Sequence, residues 1–137
     1  MSDKVVGLDL GSKRIGVALG VGTIATPSEV IERGRNHRED HARIAEVVED
    51  RGASLVIVGL PYSLDGSKGR AAQLVESEVE ELRAALPVPV ELWDERFSTV
   101  TAHQSLMEQK MKADARRRVV DKVAAAVLLQ SWLDAQQ

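Results

Sequence analysis

The chain opens on an apolar run, Val5-Val6-Gly7-Leu8-Asp9-Leu10-Gly11, which reads as a buried β-strand interrupted by one acid, Asp9. A Gly-Ser turn leads into a second strand over residues 14–20, and a third follows at about 24–32. The short connections favour antiparallel pairing of the first two. Residues 37–51 carry Ile44, Val47 and Val48 on one side, the spacing of a helix, with Gly52 as its stop. Leu55-Val56-Ile57-Val58 is continuously apolar, as a central strand buried on both faces must be. The segment Gly59–Ser67 is a loop leaving that strand; its stretch Pro61–Gly69 could close over substrate or merely connect two elements, and Ser67 suits the cap of the next helix. That helix sets Ala71, Val75, Val79, Leu82 and Leu86 along one stripe and ends at Pro87. Val90–Asp94 reads as a fifth strand. Ser98 or Thr99 can cap a helix running towards residue 110, and a last helix spans about 117–135.

This order predicts an α/β fold. Three antiparallel strands followed by parallel strands give a mixed five-stranded sheet flanked by helices. Ligand sites in such sheets lie at the carboxyl ends of the strands. No repeat, low-complexity stretch or linker interrupts the chain, so residues 1–137 are expected to form one domain.

Three acids stand where that fold would gather them. Asp9 lies near the end of the first strand, and a carboxylate there loses hydration unless a cation or hydrogen bonds compensate. Asp94 and Glu95 end the fifth strand and are equally placed by spacing. Asp121 heads a stripe continued by Ala125, Leu128 and Trp132, so it should face the sheet. Ala124, Ala125 and Ala126 are small enough to let that helix approach closely. Converging carboxylates repel one another unless a cation sits between them. Oxygen ligands without histidine or cysteine favour Mg2+ or Mn2+ over zinc. Such a site suits phosphoryl transfer, in which the acids hold about two ions and the nucleophile is a water on the metal. Taken singly, Asp9 could instead pair with Lys13 or Arg14, and Asp121 could be an ordinary acid of a helix N-terminus.

Composition adds boundaries. With 44% hydrophobic and 28% charged residues, the 137-residue chain has the make-up of a soluble globular protein. It contains no cysteine, which excludes disulfides, iron–sulfur clusters and thiol nucleophiles. No signal peptide or membrane-length apolar run is present, so a cytoplasmic location is expected. The net charge of −3 argues against nucleic-acid binding by the whole surface. Residues 110–122, however, gather Lys110, Lys112, Arg116, Arg117, Arg118 and Lys122 against only Asp114 and Asp121. A basic patch beside an acidic metal site can bind a phosphate backbone whatever the overall sign.

Four blocks of the chain resemble the YqgF/RuvX family in the family's order. They are Gly7-Leu8-Asp9-Leu10-Gly11-Ser12-Lys13-Arg14-Ile15-Gly16-Val17-Ala18; Val58-Gly59-Leu60-Pro61 with Asp65-Gly66-Ser67; Asp94-Glu95-Arg96-Phe97-Ser98-Thr99; and Val120-Asp121-Lys122-Val123-Ala124-Ala125-Ala126 with Leu128-Leu129-Gln130. The resemblance implies the ribonuclease H-like fold and a magnesium- or manganese-dependent nuclease whose acids fall on Asp9, Glu95 and Asp121. It thereby selects Glu95 over Asp94. It implies one of two roles: maturation of the 5′ end of 16S ribosomal RNA precursor, or resolution of Holliday junctions. The partner is thus structured RNA or branched DNA, bound by a monomer or a homodimer, since symmetric cutting of a junction needs two copies. Phe97-Ser98 stands where Leu-Thr is commoner in the family.

Lys13, Arg14 and Arg96 flank the acids and are candidates to hold a phosphate, as are Arg116, Arg117, Arg118 and Lys122 for the backbone. Trp93, Phe97 and Trp132 are expected in the core rather than as stacking platforms. His37 and His41 stand one helical turn apart, but no acid or cysteine pattern accompanies them, so a shared metal is not expected. His103 is expected on a helix surface. Two other classes fit parts of the pattern. Asp9-Leu10-Gly11-Ser12 with Gly16 also resembles the first phosphate loop of actin-like ATP-binding domains. Those need two domains, and the other Asp-x-Gly, Asp50-Arg51-Gly52, precedes a strand where a second loop should join two. A non-catalytic nucleic-acid module would have no need of all three acids.

Overall fold

A computed structural model describes residues 3–62, 66–97 and 113–137, with side chains of the last helix described from Val119 onward. Five strands form one sheet: β1 (Lys4–Leu10), β2 (Arg14–Val21), β3 (Ile24–Glu32), β4 (Ala53–Leu60) and β5 (Val90–Asp94), in the order β3-β2-β1-β4-β5. β1 pairs antiparallel with β2 and β2 with β3, whereas β1–β4 and β4–β5 are parallel. Parallel neighbours need a crossover, and the helices α1 (His37–Arg51) and α2 (Arg70–Ala85) supply them. After β5 comes a single 3-10 turn, Glu95–Phe97, and the described chain ends in α3, Ala113–Ala135.

The pleat divides the apolar residues between two cores. Val6, Leu8, Val56, Val58 and Leu60 face Ile44 and Val48 of α1 and Val75, Val79 and Leu82 of α2. Val5, Ala18 and Ile57 face Ala125, Ala126, Leu129 and Leu133 of α3. The mixed sheet is as predicted, and the second core extends the expected α3 stripe by Leu129 and Leu133.

α3 lies on the sheet at the distance of backbone contact. A Cβ added at Gly16 would fall 1.9 Å from the carbonyl oxygen of Asp121, and one at Gly7 would fall 2.8 Å from Leu129 Cβ. Only glycine leaves room there, so the glycines of β1 and β2 fix how closely the start of the α3 stripe approaches β2.

α1 stops at Gly52 as its sequence suggests, and it is capped at its start as well. The Asn36 side chain accepts from the Glu39 amide at 2.9 Å, and Gly52 closes the helix with a left-handed φ of 66°. α2 departs from expectation. Gly69, not Ser67, is its N-cap, and no side chain caps it. Its buried stripe begins at Ala72, while Ala71 is exposed; Ala72, Val75, Val79 and Leu82 are the positions that pack on the sheet. α3 starts at Ala113, earlier than the expected 117. The helix expected from Ser98 or Thr99 to 110, with His103, lies outside the described residues, as do residues 63–65 of the loop after β4. Among the described residues, no helix is long and apolar enough to cross a membrane.

A polar network joins α1, α2 and the segment after β3. Arg33 Nη1 and Nη2 donate to Glu78 at 2.7 and 2.9 Å, and Nη1 also donates to Asp40 at 3.2 Å. Arg33 Nε donates to the Gly11 carbonyl at 2.9 Å, which ties the β1–β2 turn to the same network. His41 Nε2 lies 2.9 Å from Glu78 Oε2.

Candidate active site

The register of the sheet decides which side chains meet at its carboxyl end. Asp9 is opposite Gly16 across the β1–β2 ladder, and alternation puts it on the same face as Gly7, towards α3. The backbone of Asp121 rests on Gly16, so α3 delivers Asp121 beside Asp9. Glu95 comes from the other side. It follows the last residue of β5, and its side chain lies over Gly59 of β4, where an added Cβ would meet Glu95 Oε1 at 2.9 Å. Two strands, a helix and a 3-10 turn therefore bring Asp9, Glu95 and Asp121 together.

Electrostatics record the convergence. The Asp9 carboxyl is pushed up from an ordinary 3.8 to about 7, first by burial and then by the charges of Glu95 and Asp121. Glu95 is also raised, by burial and then by Asp94. Asp94 moves the other way. Hydrogen bonds from Arg96, including Nη2 at 2.6 Å and the backbone amide at 2.8 Å, hold it below the usual carboxylate range. The two acids that spacing left equal thus differ in kind: Asp94 is held by Arg96, whereas Glu95 lies over Gly59 and its charge acts on Asp9.

The basic candidates fall into three groups. Lys13 and Arg14 line, with Gly11, Ser12 and Asp121, a cavity of about 280 Å³ next to the acids. Arg14 pairs with Glu32 at 3.0 Å, and among the ion pairs of the described residues none joins Asp9 to Arg14 or Lys13. Arg96 stacks over Tyr62, 5.1 Å from the ring centre, while holding Asp94. Lys122 is half-buried on α3 beside Asp121. The backbones of Arg116, Arg117 and Arg118 belong to the first turns of α3, and their side chains lie outside the described residues.

One aromatic departs from expectation. Trp93 and Trp132 pack partly buried against α3 and the sheet, but Phe97 is 63% exposed. Its ring meets Trp93 edge-on at 5.2 Å. Ser131 accepts from Trp93 Nε1 at 3.1 Å and donates to the Phe97 carbonyl at 2.8 Å, so the turn is anchored with its ring outward. The 3-10 turn explains the difference: it ends the strand alternation that would have buried residue 97.

Comparison with known proteins agrees with this architecture. The family model described as "RuvX: Holliday junction resolvase" matches residues 3–135. A protein of Thermosynechococcus vestitus named "Putative pre-16S rRNA nuclease" is 43% identical over 134 residues, covering 96% of this chain and 88% of its own. A protein of the same name from Symbiobacterium thermophilum is 42% identical over 135 residues, covering 97% and 93%. Among solved structures, Thermus thermophilus RuvC bound to a Holliday junction substrate superposes with a TM-score of 0.61 at 16% identity, covering 98% of this chain and 97% of that one. At that identity the likeness speaks for a common ribonuclease H-like fold alone. Sequence and fold together establish that this chain belongs to the RuvX family.

Proposed function

We propose that this protein is a divalent-metal-dependent nuclease, that Asp9, Glu95 and Asp121 hold its metal, and that it acts in 5′-end processing of 16S ribosomal RNA precursor. The observation that carries the reading is the gathering of three carboxylates, where burial first and then the charges of Glu95 and Asp121 raise the Asp9 carboxyl to about 7. A cation of charge two would relieve the repulsion among them, so the residues fit such a group. The donors are oxygens only, which favours Mg2+ or Mn2+. When bound, such ions supply Lewis-acid stabilisation of phosphate charge and make a nearby water more acidic.

The remaining steps belong to side chains. Lys13, Arg14, Arg96 and Lys122 stand around the acids, and Arg116, Arg117 and Arg118 begin the helix that carries Asp121. Together they would draw a polyanion to an otherwise acidic protein. Asp9 is half-buried, which lowers the local dielectric and strengthens each of these attractions. The outward ring of Phe97, two residues from Glu95, would stack on an unpaired base and fix the register of the strand.

The RNA role rests on relatives at 42–43% identity that carry this name. The family model's description favours a second reading, Holliday junction resolution, which would require two copies acting symmetrically. A cleavage panel with Mg2+ or Mn2+ separates them. A precursor ribosomal RNA fragment, single-stranded RNA, single-stranded DNA and a four-way DNA junction would be offered in parallel. The RNA reading expects cleavage of the precursor, and cleavage confined to junctions would replace it with the second. Work on a ribosomal RNA precursor would place the protein in the cytoplasm.

A further inference from the structure

On the face of the sheet opposite the three acids, α1 and α2 bring His37, His41 and Glu78 together. One ligand atom from each lies within 4.8 Å of the other two. We propose that these residues form a second cation site, suited to zinc(II), distinct from the carboxylate site and independent of the nuclease reading.

Four observations support it. First, the ligand atoms are near enough to converge on one ion. His41 Nε2 lies 2.9 Å from Glu78 Oε2, and His37 Nε2 lies 3.9 Å from Glu78 Oε1. Adjacent ligands of a tetrahedral ion with bonds of about 2.0–2.1 Å are roughly 3.4 Å apart, between these two values. The histidines are four residues apart on one helix, and their rings stack at 5.5 Å, so rotamer adjustments suffice.

Second, supporting groups hold the ligands. His37 Nδ1 is 2.8 Å from Glu81 Oε2. That contact favours the tautomer that leaves Nε2 free to coordinate, as in carboxylate–histidine–zinc arrangements. Arg33 uses one lone pair on each oxygen of Glu78 and leaves another on each for an ion.

Third, charge is out of balance. The connected network holds one cation, Arg33, against three carboxylates, Asp40, Glu78 and Glu81. A divalent ion would offset the two carboxylate charges that Arg33 leaves over. Burial works against the charged form of Glu78, but the hydrogen bonds from Arg33 and His41 prevail and keep it ionised.

Fourth, the site is reachable. Glu78 and His41 are buried, while the His37 side chain is 47% exposed and lines, with Arg33, Glu78 and Ser12, a cavity of about 330 Å³. A water or a small ligand could take the fourth position from that side.

The test is zinc binding by chelator-stripped full-length protein, read by calorimetry in competition with a chelator of known affinity. It is run in the Asp9→Asn background so that the carboxylate site is weakened. One equivalent should bind, His37→Gln should weaken it at least about tenfold, and Glu81→Gln by about tenfold. Cobalt(II) should give the strong visible absorption of a tetrahedral site, lost in His37→Gln. Because His37 is half-exposed, its variant should melt like the parent in chelator, which separates lost ligation from lost fold. Absence of stoichiometric zinc binding in Asp9→Asn would overturn the proposal. So would an affinity that His37→Gln leaves unchanged.

Discussion

At the scale of single residues, Asp9 sets the energetics of the candidate active site. Its carboxyl is raised in the fold from an ordinary 3.8 to about 7, so the folded chain holds the proton more tightly than the unfolded chain. The metal-free fold must therefore lose stability as pH rises from about 4 to about 7, and the loss is complete above that range. A shift of this size corresponds to on the order of 4 kcal/mol. In chelator at pH 8, Asp9→Asn should melt roughly 5 °C or more above the parent, and the gap should close near pH 4. Adding Mg2+ or Mn2+ should raise the parent's melting temperature and leave the variant's nearly unchanged. Equal melting at pH 8 would mean that Asp9 is not under this strain. Phe97 makes a separate prediction. Phe97→Ala should weaken nucleic-acid binding by roughly 5- to 100-fold, the worth of one stacked base, with little change in melting. Asp9 could be read from the sequence because a lone acid in an apolar strand has few explanations. Glu95 and Asp94 could not be separated by spacing, because what distinguishes them is the Arg96 side chain folding back on one of them. Glu78 could not be paired with His41 either, since the partners are 37 residues apart on different helices.

At the scale of elements, the placement of α3 depends on what β2 lacks. Gly16→Ala puts a methyl group into the Asp121 carbonyl, so the helix must lift or slide. Overpacking of this kind costs about 1–3 kcal/mol, and here it also moves Asp121 away from Asp9. Thermal melting should fall accordingly, and metal-dependent cleavage should drop by more than the stability loss explains. Normal activity in a less stable Gly16→Ala protein would show that the helix position does not matter. The opposite face is held by Arg33, whose side chain bridges the buried Asp40 and Glu78. Arg33→Met should destabilise the fold by about 3–5 kcal/mol, because two buried carboxylates lose their cation. Denaturant titration would show this as a lower midpoint, and an unchanged midpoint would contradict it. The strands and α1 were legible in the sequence because their periods and caps are local signals. The start of α2 was not, since Gly69 caps it without a side chain and leaves nothing for composition to mark.

At the scale of the whole molecule, the order β3-β2-β1-β4-β5 puts β1 at the centre of the sheet, next to both the hairpin and the first crossover strand. That is why an acid near the end of β1 can be met from β5 on one side and from α3 on the other. The mixed sheet followed from the alternation of strands and helices. The convergence of the acids followed only once register and the glycine contacts fixed the depth of α3. At this scale we propose one site, in which Asp9, Glu95 and Asp121 hold the metal for phosphodiester hydrolysis. Its most direct test is cleavage of a precursor 16S ribosomal RNA fragment by parent and Asp9→Asn proteins, with Mg2+ or Mn2+ and with chelator. The parent should cleave in a metal-dependent way, and the folded variant should lose at least about a hundredfold, a loss typical of a removed charge-stabilising group. Undiminished cleavage by Asp9→Asn would contradict it.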